Sequence, residues 1–111
     1  MDLKTYFKTR KGIGVLATTD GLGKVNAALY ARPRIKNKDE CLFIMSDKLT
    51  HKNIQENPYA CYLFKENDSY QGTRLVLKKI DETQDKETIL HYLQERDVAV
   101  ITLDFVSSTV N

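Results

Sequence analysis

The sequence has no tryptophan, only two prolines, and no apolar run near the roughly 18 residues that a membrane-spanning helix needs. Its first residues, MDLKTYFKTRKG, lack the apolar stretch and small-residue cleavage site of a signal peptide, so we expect a cytoplasmic protein that does not enter membranes. A large excess of positive or negative charge is also lacking. The 17 basic residues face 15 acidic ones, for a net charge of +2, and we therefore expect no nucleic-acid partner.

Metal-ligating patterns are missing as well. The two cysteines, Cys41 and Cys61, lie in predicted strands without CxxC spacing, which is typical of buried thiols in a reducing compartment. His51 and His91 form no HxxxH or HExxH pattern and have no carboxylate cluster beside them. The sequence therefore predicts no metal site.

The 111 residues predict a single domain, residues 1–111. Apolar, β-branched segments separated by turn residues predict six strands, which cover residues 13–19, 25–35, 41–46, 59–66, 70–80 and 98–106. Helices are predicted after Asp2, within residues 46–58 and over residues 83–97. Strands linked by hairpins, with few helices, indicate a mainly β fold (α+β) whose antiparallel sheet curls or closes.

The segment SDKLTHKNIQENP, residues 46–58, places Lys48, His51 and Lys52 near the start of a predicted helix. A helix N-terminus carries a partial positive charge, so cations there are unfavourable unless an anion binds. The Lys48 ammonium, the Thr50 hydroxyl and the free N–H groups of the first turn would suit a phosphate dianion. The alternative is a solvated surface helix, because the cost per residue is only roughly a few tenths of a kcal/mol.

The segment VNAALYAR forms part of the second predicted strand. By alternation, Asn26, Ala28, Tyr30 and Arg32 share one face of that strand. A small residue, an amide, a phenol and a guanidinium together would suit a flat polar ligand lying against the sheet. An exposed strand face with an ordinary tyrosine is the alternative.

Three stretches of the chain together resemble the pyridoxamine 5′-phosphate oxidase-like, FMN-binding split-barrel proteins: GVLATTDGLGKVNAALYARPRI, LFIMSDKLTHKNIQENPYACYLFKE and YQGTRLVLKKI. The likeness runs in register from about Gly12 to Ile80. It rests on an ordered set of features, namely a Leu-Ala-Thr strand, an Asp-Gly turn, a strand ending in ARP, LTHKN…ENP and a Tyr-x-Gly strand. The resemblance implies a six-stranded antiparallel split β-barrel and a homodimer with FMN at the subunit interface.

In that family the flavin contacts come from the second strand, the third strand and the loop that opens the short helix. Carried over by position, the resemblance implies these cofactor-binding residues: Asn26, Ala27, Ala28, Arg32, Ile44, Met45, Ser46, Lys48, Thr50 and His51. The helix-opening loop varies in length across the family, so the phosphate-binding side chain is Lys48 or a near neighbour. The cations at the helix start would then bind the phosphate of FMN.

The function implied is that of an FMN-binding flavoprotein, a small oxidoreductase or electron carrier with an unassigned substrate and a small-molecule or protein redox partner. A non-catalytic flavin-binding or flavin-sensing module is an alternative. A nucleic-acid or phospholigand binder that uses the basic helix start is another, and the near-neutral net charge argues against it. We do not expect pyridoxamine 5′-phosphate oxidation itself. The segment LDFVSSTVN lacks the Arg and His that hold the substrate in true oxidases, and it also lacks the haem-contacting His of haem-degrading relatives.

Overall fold

The computed structural model describes residues 2–46, 48–83 and 98–110, so the helix predicted over 83–97 lies, apart from Thr83, outside the described residues. Two helices and seven strands occur in the described part of the chain. The helices are α1 (Leu3–Thr9) and α2 (Leu49–Glu56). The strands are β1 (Gly12–Thr19), β2 (Val25–Leu29), β3 (Arg34–Ile35), β4 (Glu40–Ser46), β5 (Tyr59–Glu66), β6 (Gly72–Thr83) and β7 (Val98–Val110).

The prediction of six strands is wrong at one place, the second strand. Residues 25–35 form two strands, β2 and β3, separated by the link of residues 30–33. Pro33, at the end of this link, has no N–H to donate to a neighbouring strand, which favours an interruption of the ladder there. The other predicted strands agree with the observed ones, although β6 and β7 run further than expected.

All seven strands pair antiparallel in one sheet, in the order β2-β1-β5-β6-β7-β4-β3. The two edge strands, β2 and β3, are joined by the link alone, which spans at most about 18 Å. In a flat sheet, six strand spacings would hold these edges about 29 Å apart. The sheet must therefore curl, and among the described strands no pairing closes it between β2 and β3.

The core lies inside the curled sheet, beside α1. Along β5, Tyr62 and Phe64 are fully buried, whereas Leu63 between them and Tyr59 at the start of the strand are exposed. This is the alternation of a half-buried strand. The ring of Phe7 on α1 meets that of Phe64 edge to face, with centroids 5.5 Å apart. This packing attaches α1 to the inner face of the sheet.

The second helix, α2, lies at one end of the curled sheet. The Asn53 amide donates a hydrogen bond to the Thr18 hydroxyl on β1 (3.2 Å), and both groups are buried. The Asn57 amide donates likewise to Thr19 (2.8 Å). These bonds hold the middle and the C-terminal end of α2 against β1. Neither α1 nor α2, the helices of the described residues, is long and apolar enough to span a membrane.

Candidate functional site

A cleft of about 460 Å³ opens between β2, β4 and the start of α2. Its volume falls within the range of about 300–1,000 Å³ that is usual for cofactor and ligand pockets. The cleft is lined by Asn26, Ala28, Leu29, Tyr30, Ile44, Lys48, Leu49 and Thr50. One part of this lining is polar and cationic, and another part is apolar and aromatic.

The cleft lies where the curled sheet stays open. Among the described strands, β2 pairs with β1 alone, so its other edge is unpaired. β4 pairs with β3 only at Leu42 and Cys41, and the edge beyond them, towards Ile44, has no strand beside it within the described part. Unpaired strand edges present backbone N–H and C=O groups that can bind a ligand.

The polar end of the cleft is the N-terminus of α2. Lys48 is the N-cap residue, with an extended backbone (φ −133°, ψ −168°) and no capping hydrogen bond from its side chain. Asn, Asp, Ser and Thr are the usual residues at this position. The first turn of α2 contains no acidic residue. The N–H groups of a first helical turn have no carbonyl one turn earlier to bind, so this end of the cleft offers donors and a positive charge.

Three polar side chains meet beside that terminus. The Asn26 amide on β2 donates to the Thr50 hydroxyl on α2 (3.4 Å). Burial raises the pKa of the Tyr30 phenol above its usual value, and a hydrogen bond with Thr50 offsets only part of this rise. Tyr30 is therefore a neutral phenol at physiological pH. Two hydrogen bonds hold the backbone of Tyr30. Its N–H donates to the Gly14 carbonyl (3.0 Å), and its C=O accepts from the Tyr62 phenol (3.3 Å).

Half of the ten site residues expected from the resemblance line this cleft. These five are Asn26, Ala28, Ile44, Lys48 and Thr50. They come from β2, β4 and the start of α2, the three regions that the resemblance named.

The other expected residues lie elsewhere. Ala27 is exposed on the opposite face of β2, and Met45 is fully buried in the core. The Arg32 guanidinium donates to the carbonyls of Phe7 and Arg10, at the end of α1. The imidazole Nε2 of His51 lies 3.0 Å from the Glu82 carboxylate on β6. For Ser46 the structure describes the backbone alone.

Three lining residues were not among those expected from the resemblance: Leu29, Tyr30 and Leu49. The alternation of β2 did indicate Tyr30, on the same face as Asn26 and Ala28. By the same alternation Leu29, the last residue of β2, belongs to the opposite face, yet it also lines the cleft. Within the described residues, no group of three His, Cys, Asp or Glu side chains could hold a metal ion.

No protein-family model matches the chain, and no curated protein matches it. Solved structures do resemble it. An FMN-binding protein from Syntrophomonas wolfei superposes with a TM-score of 0.79 at 14% identity, over 96% of this chain and 82% of that one. A candidate pyridoxamine 5′-phosphate oxidase from Lactobacillus delbrueckii gives 0.81 at 12% identity, over 98% and 92% of the two chains.

An F420 reductase also superposes over almost its whole length. The TM-score is 0.72 at 17% identity, with 98% of each chain covered. These superpositions cover nearly the whole chain and agree with its mainly β, antiparallel architecture. The chain has the split-barrel fold of the pyridoxamine 5′-phosphate oxidase-like proteins.

Proposed function

We propose that this protein is an FMN-binding flavoprotein, in which the cleft between β2, β4 and α2 holds the cofactor. One observation carries the proposal: the cleft joins a cationic helix N-terminus to an apolar wall with unpaired strand edges. FMN has the matching form, with a phosphate at one end and a flat ring system at the other.

The phosphate would lie at the start of α2. The backbone N–H groups of the first turn, the Lys48 ammonium and the Thr50 hydroxyl are donors suited to a phosphate dianion. The dianion would also compensate the positive end of the helix, which has no acidic residue of its own in the first turn.

The ring system would lie against β2 and β4. Ala28 leaves room for a flat group to approach the backbone, and Leu29, Tyr30 and Ile44 supply apolar surface. The unpaired edge groups of the two strands can hydrogen-bond to the polar rim of such a ring. Bound FMN would supply hydride or electron transfer, and the residues of the chain would bind it, orient it and exclude water.

The solved structures support a flavin rather than another phosphorylated ligand. One protein of the same fold is described as FMN-binding, and another as an F420 reductase, which points to the deazaflavin as the nearest competitor. We therefore propose a small oxidoreductase or electron carrier that works with a small-molecule or protein redox partner. The two free cysteines agree with the proposed cytoplasmic location.

We also propose a homodimer, supported by an apolar outer face on β1, β2 and β5. Val15 on β1 stands between Leu29 on β2 and Leu63 on β5, and the latter two are 75% and 43% exposed. Two residues further along the same face, Ala17 on β1 pairs with Ala27 on β2. Because Leu29 belongs both to this face and to the cleft lining, a second subunit on the face would cover the rim of the cleft.

Titration of the flavin-free protein with FMN, riboflavin and F420 tests the proposal. We expect FMN to bind at least about tenfold tighter than riboflavin, because much of the site recognises phosphate. Equal affinity for FMN and riboflavin, or no binding of either, would contradict the proposed site. Tighter binding of F420 than of FMN would assign the deazaflavin instead.

A second measurement separates an oxidoreductase from a passive flavin-binding module. The FMN-loaded protein is mixed with NADH or NADPH, and bleaching of the flavin absorbance is followed over time. Reduction faster than that of free FMN supports an oxidoreductase. A rate no greater than that of free FMN with either donor favours the non-catalytic module.

A further inference from the structure

The helix that bears the phosphate end of the proposed site is held from a second side by one carboxylate. His51 and Gln55, one turn apart on α2, both contact Glu82 on β6. His51 Nε2 lies 3.0 Å from Glu82 Oε2, and Gln55 Nε2 donates to Glu82 Oε1 at 2.7 Å. Lys79 Nζ lies 3.0 Å from the same Oε1 and donates to Gln55 Oε1 at 3.0 Å. We call these four side chains the Glu82 clamp.

The clamp is partly shielded from water. His51 is only 8% exposed, and about a fifth of the Glu82 and Lys79 side-chain surfaces is accessible. Burial tends to raise the pKa of the Glu82 carboxyl, but hydrogen bonds from Gln55, Lys79 and His51 outweigh it, so the pKa is lowered. Glu82 is therefore a carboxylate at neutral pH. Ion pairs in such an environment are screened less than exposed ones.

The clamp acts on the same turn that faces the cleft. His51 directly follows Thr50 and lies about 4.5 Å along the helix axis from Lys48. On the β1 and β2 side, neutral amide–hydroxyl bonds hold α2, from Asn53 to Thr18 and from Asn26 to Thr50. The clamp holds it on the β6 side. Losing the clamp would let the start of α2 tilt away from β6, whereas β2 and β4 would keep their places in the sheet.

We propose that Glu82 is a positioning residue that makes the cleft selective for a phosphate-bearing flavin without touching the ligand. The inference rests on the proposed function. A displaced helix start would weaken the contacts to phosphate but leave the ring wall on β2 and β4 intact. The loss would therefore fall on FMN and spare riboflavin, which has no phosphate.

The experiment measures dissociation constants for FMN and riboflavin in Glu82→Ala, Glu82→Gln and the matched control Asp81→Asn. Asp81 is an exposed neighbour, and the Asn variant removes one negative charge while keeping the acceptor that bonds the Glu82 N–H. We expect the preference for FMN over riboflavin to fall about tenfold in Glu82→Ala and about threefold in Glu82→Gln. Asp81→Asn should keep the preference of the wild type.

Hydrogen exchange without flavin gives an independent readout. We expect the amides of residues 49–56 to exchange several-fold faster in Glu82→Ala than in the wild type, with β5 unchanged. An equal loss of affinity for both flavins, or unchanged α2 exchange, would overturn the inference while leaving the proposed function intact. Should Glu82→Ala not fold, unchanged selectivity in Glu82→Gln would overturn it. Wild-type protein that binds both flavins equally would instead contradict the proposed function.

Discussion

At the scale of single residues, Lys48 offers the sharpest test of where phosphate binds. It is the exposed N-cap of α2 and lines the cleft. We expect Lys48→Glu to weaken FMN at least about tenfold, because it places a carboxylate beside a dianion, and to leave riboflavin nearly unchanged. Fluorescence titration of both flavins measures the effect.

Lys52→Glu is the matched control. It reverses the same charge on the same helix, one turn further from the terminus and at an exposed position. We expect a change in FMN affinity of less than about threefold, since exposed charges beyond the first turn are screened. A larger loss in Lys52→Glu than in Lys48→Glu would move the phosphate contact along the helix.

Gly14 provides a residue-scale test of the wall behind Tyr30. A Cβ at this position would overlap the phenol oxygen of the fully buried Tyr62, which in turn bonds the Tyr30 carbonyl. We expect Gly14→Ala to lower the free energy of unfolding by about 1–3 kcal/mol, the usual cost of overpacking. Urea unfolding measures it.

Gly21→Ala is the control for that measurement, because its added Cβ would meet nothing closer than the Glu56 carboxylate at 3.5 Å. This variant should stay within about 0.5 kcal/mol of the wild type. A Gly14→Ala protein as stable as the control would mean that Tyr62 can move without cost.

At the scale of elements, Arg32 connects the link of residues 30–33 to α1. Its Nη1 donates to the Phe7 carbonyl at 2.8 Å and also contacts the carbonyl of Arg10, the C-cap residue of the helix. A cation is favourable at a helix C-terminus. We expect Arg32→Ala to lower the free energy of unfolding by about 1 kcal/mol and to change FMN affinity less than about threefold.

Arg32→Lys separates charge from geometry, because it keeps the cation and loses the planar fork that reaches two carbonyls. We expect an intermediate stability by urea unfolding. If Arg32→Ala instead lost FMN affinity selectively and kept its stability, Arg32 would be a ligand-binding residue, as the resemblance implies.

Several elements could be predicted from the sequence because their signals are local. β1 and β5 follow from apolar alternation, and the turn between β1 and β2 follows from Asp20-Gly21, whose aspartate indeed bonds the Leu22 and Lys24 N–H groups. The break after Leu29 is only partly local. Pro33 indicates an interruption, but the alternation continues through Arg32 and does not show that the strand ends at Leu29, where the chain begins to cross from one edge of the curled sheet to the other.

The same distinction applies to the candidate site. Asn26, Ala28 and Lys48 could be predicted from strand alternation, helix charge and the resemblance, and they line the cleft. The contact between His51 and Glu82 could not be predicted, since Glu82 lies 31 residues further along the chain and only the fold brings the two together. A lone histidine in a basic segment gave no sign of a carboxylate on a distant strand.

At the scale of the whole molecule, the apolar outer face predicts the assembly. We expect the wild type to be a dimer, and Leu63→Asp to shift it to the monomer and weaken FMN, because a carboxylate on the face would be buried without a partner. Light scattering gives the mass, and titration at the same concentration gives the FMN affinity.

Leu22→Asp is the corresponding control. It introduces the same charge at a 97% exposed residue in the turn between β1 and β2, away from the Leu63 row. We expect it to remain a dimer with wild-type FMN affinity. A wild-type mass of one chain with FMN bound would show that the cleft needs no second subunit.

The position of β7 determines the order in which the molecule can be assembled during synthesis. Among the described strands, β7 alone joins β4, and through it β3, to the other part of the sheet, and it pairs Asp104 with Glu40. β1, β2, β5 and β6 can pair as they leave the ribosome, whereas β4 must wait for a strand more than fifty residues later. Until then the edge of β4 that pairs with β7 is open, and β4, with its apolar Phe43 and Met45, is not yet part of the sheet. We therefore expect a nascent chain stalled before residue 98 to expose an unpaired strand and to aggregate more readily than the finished chain.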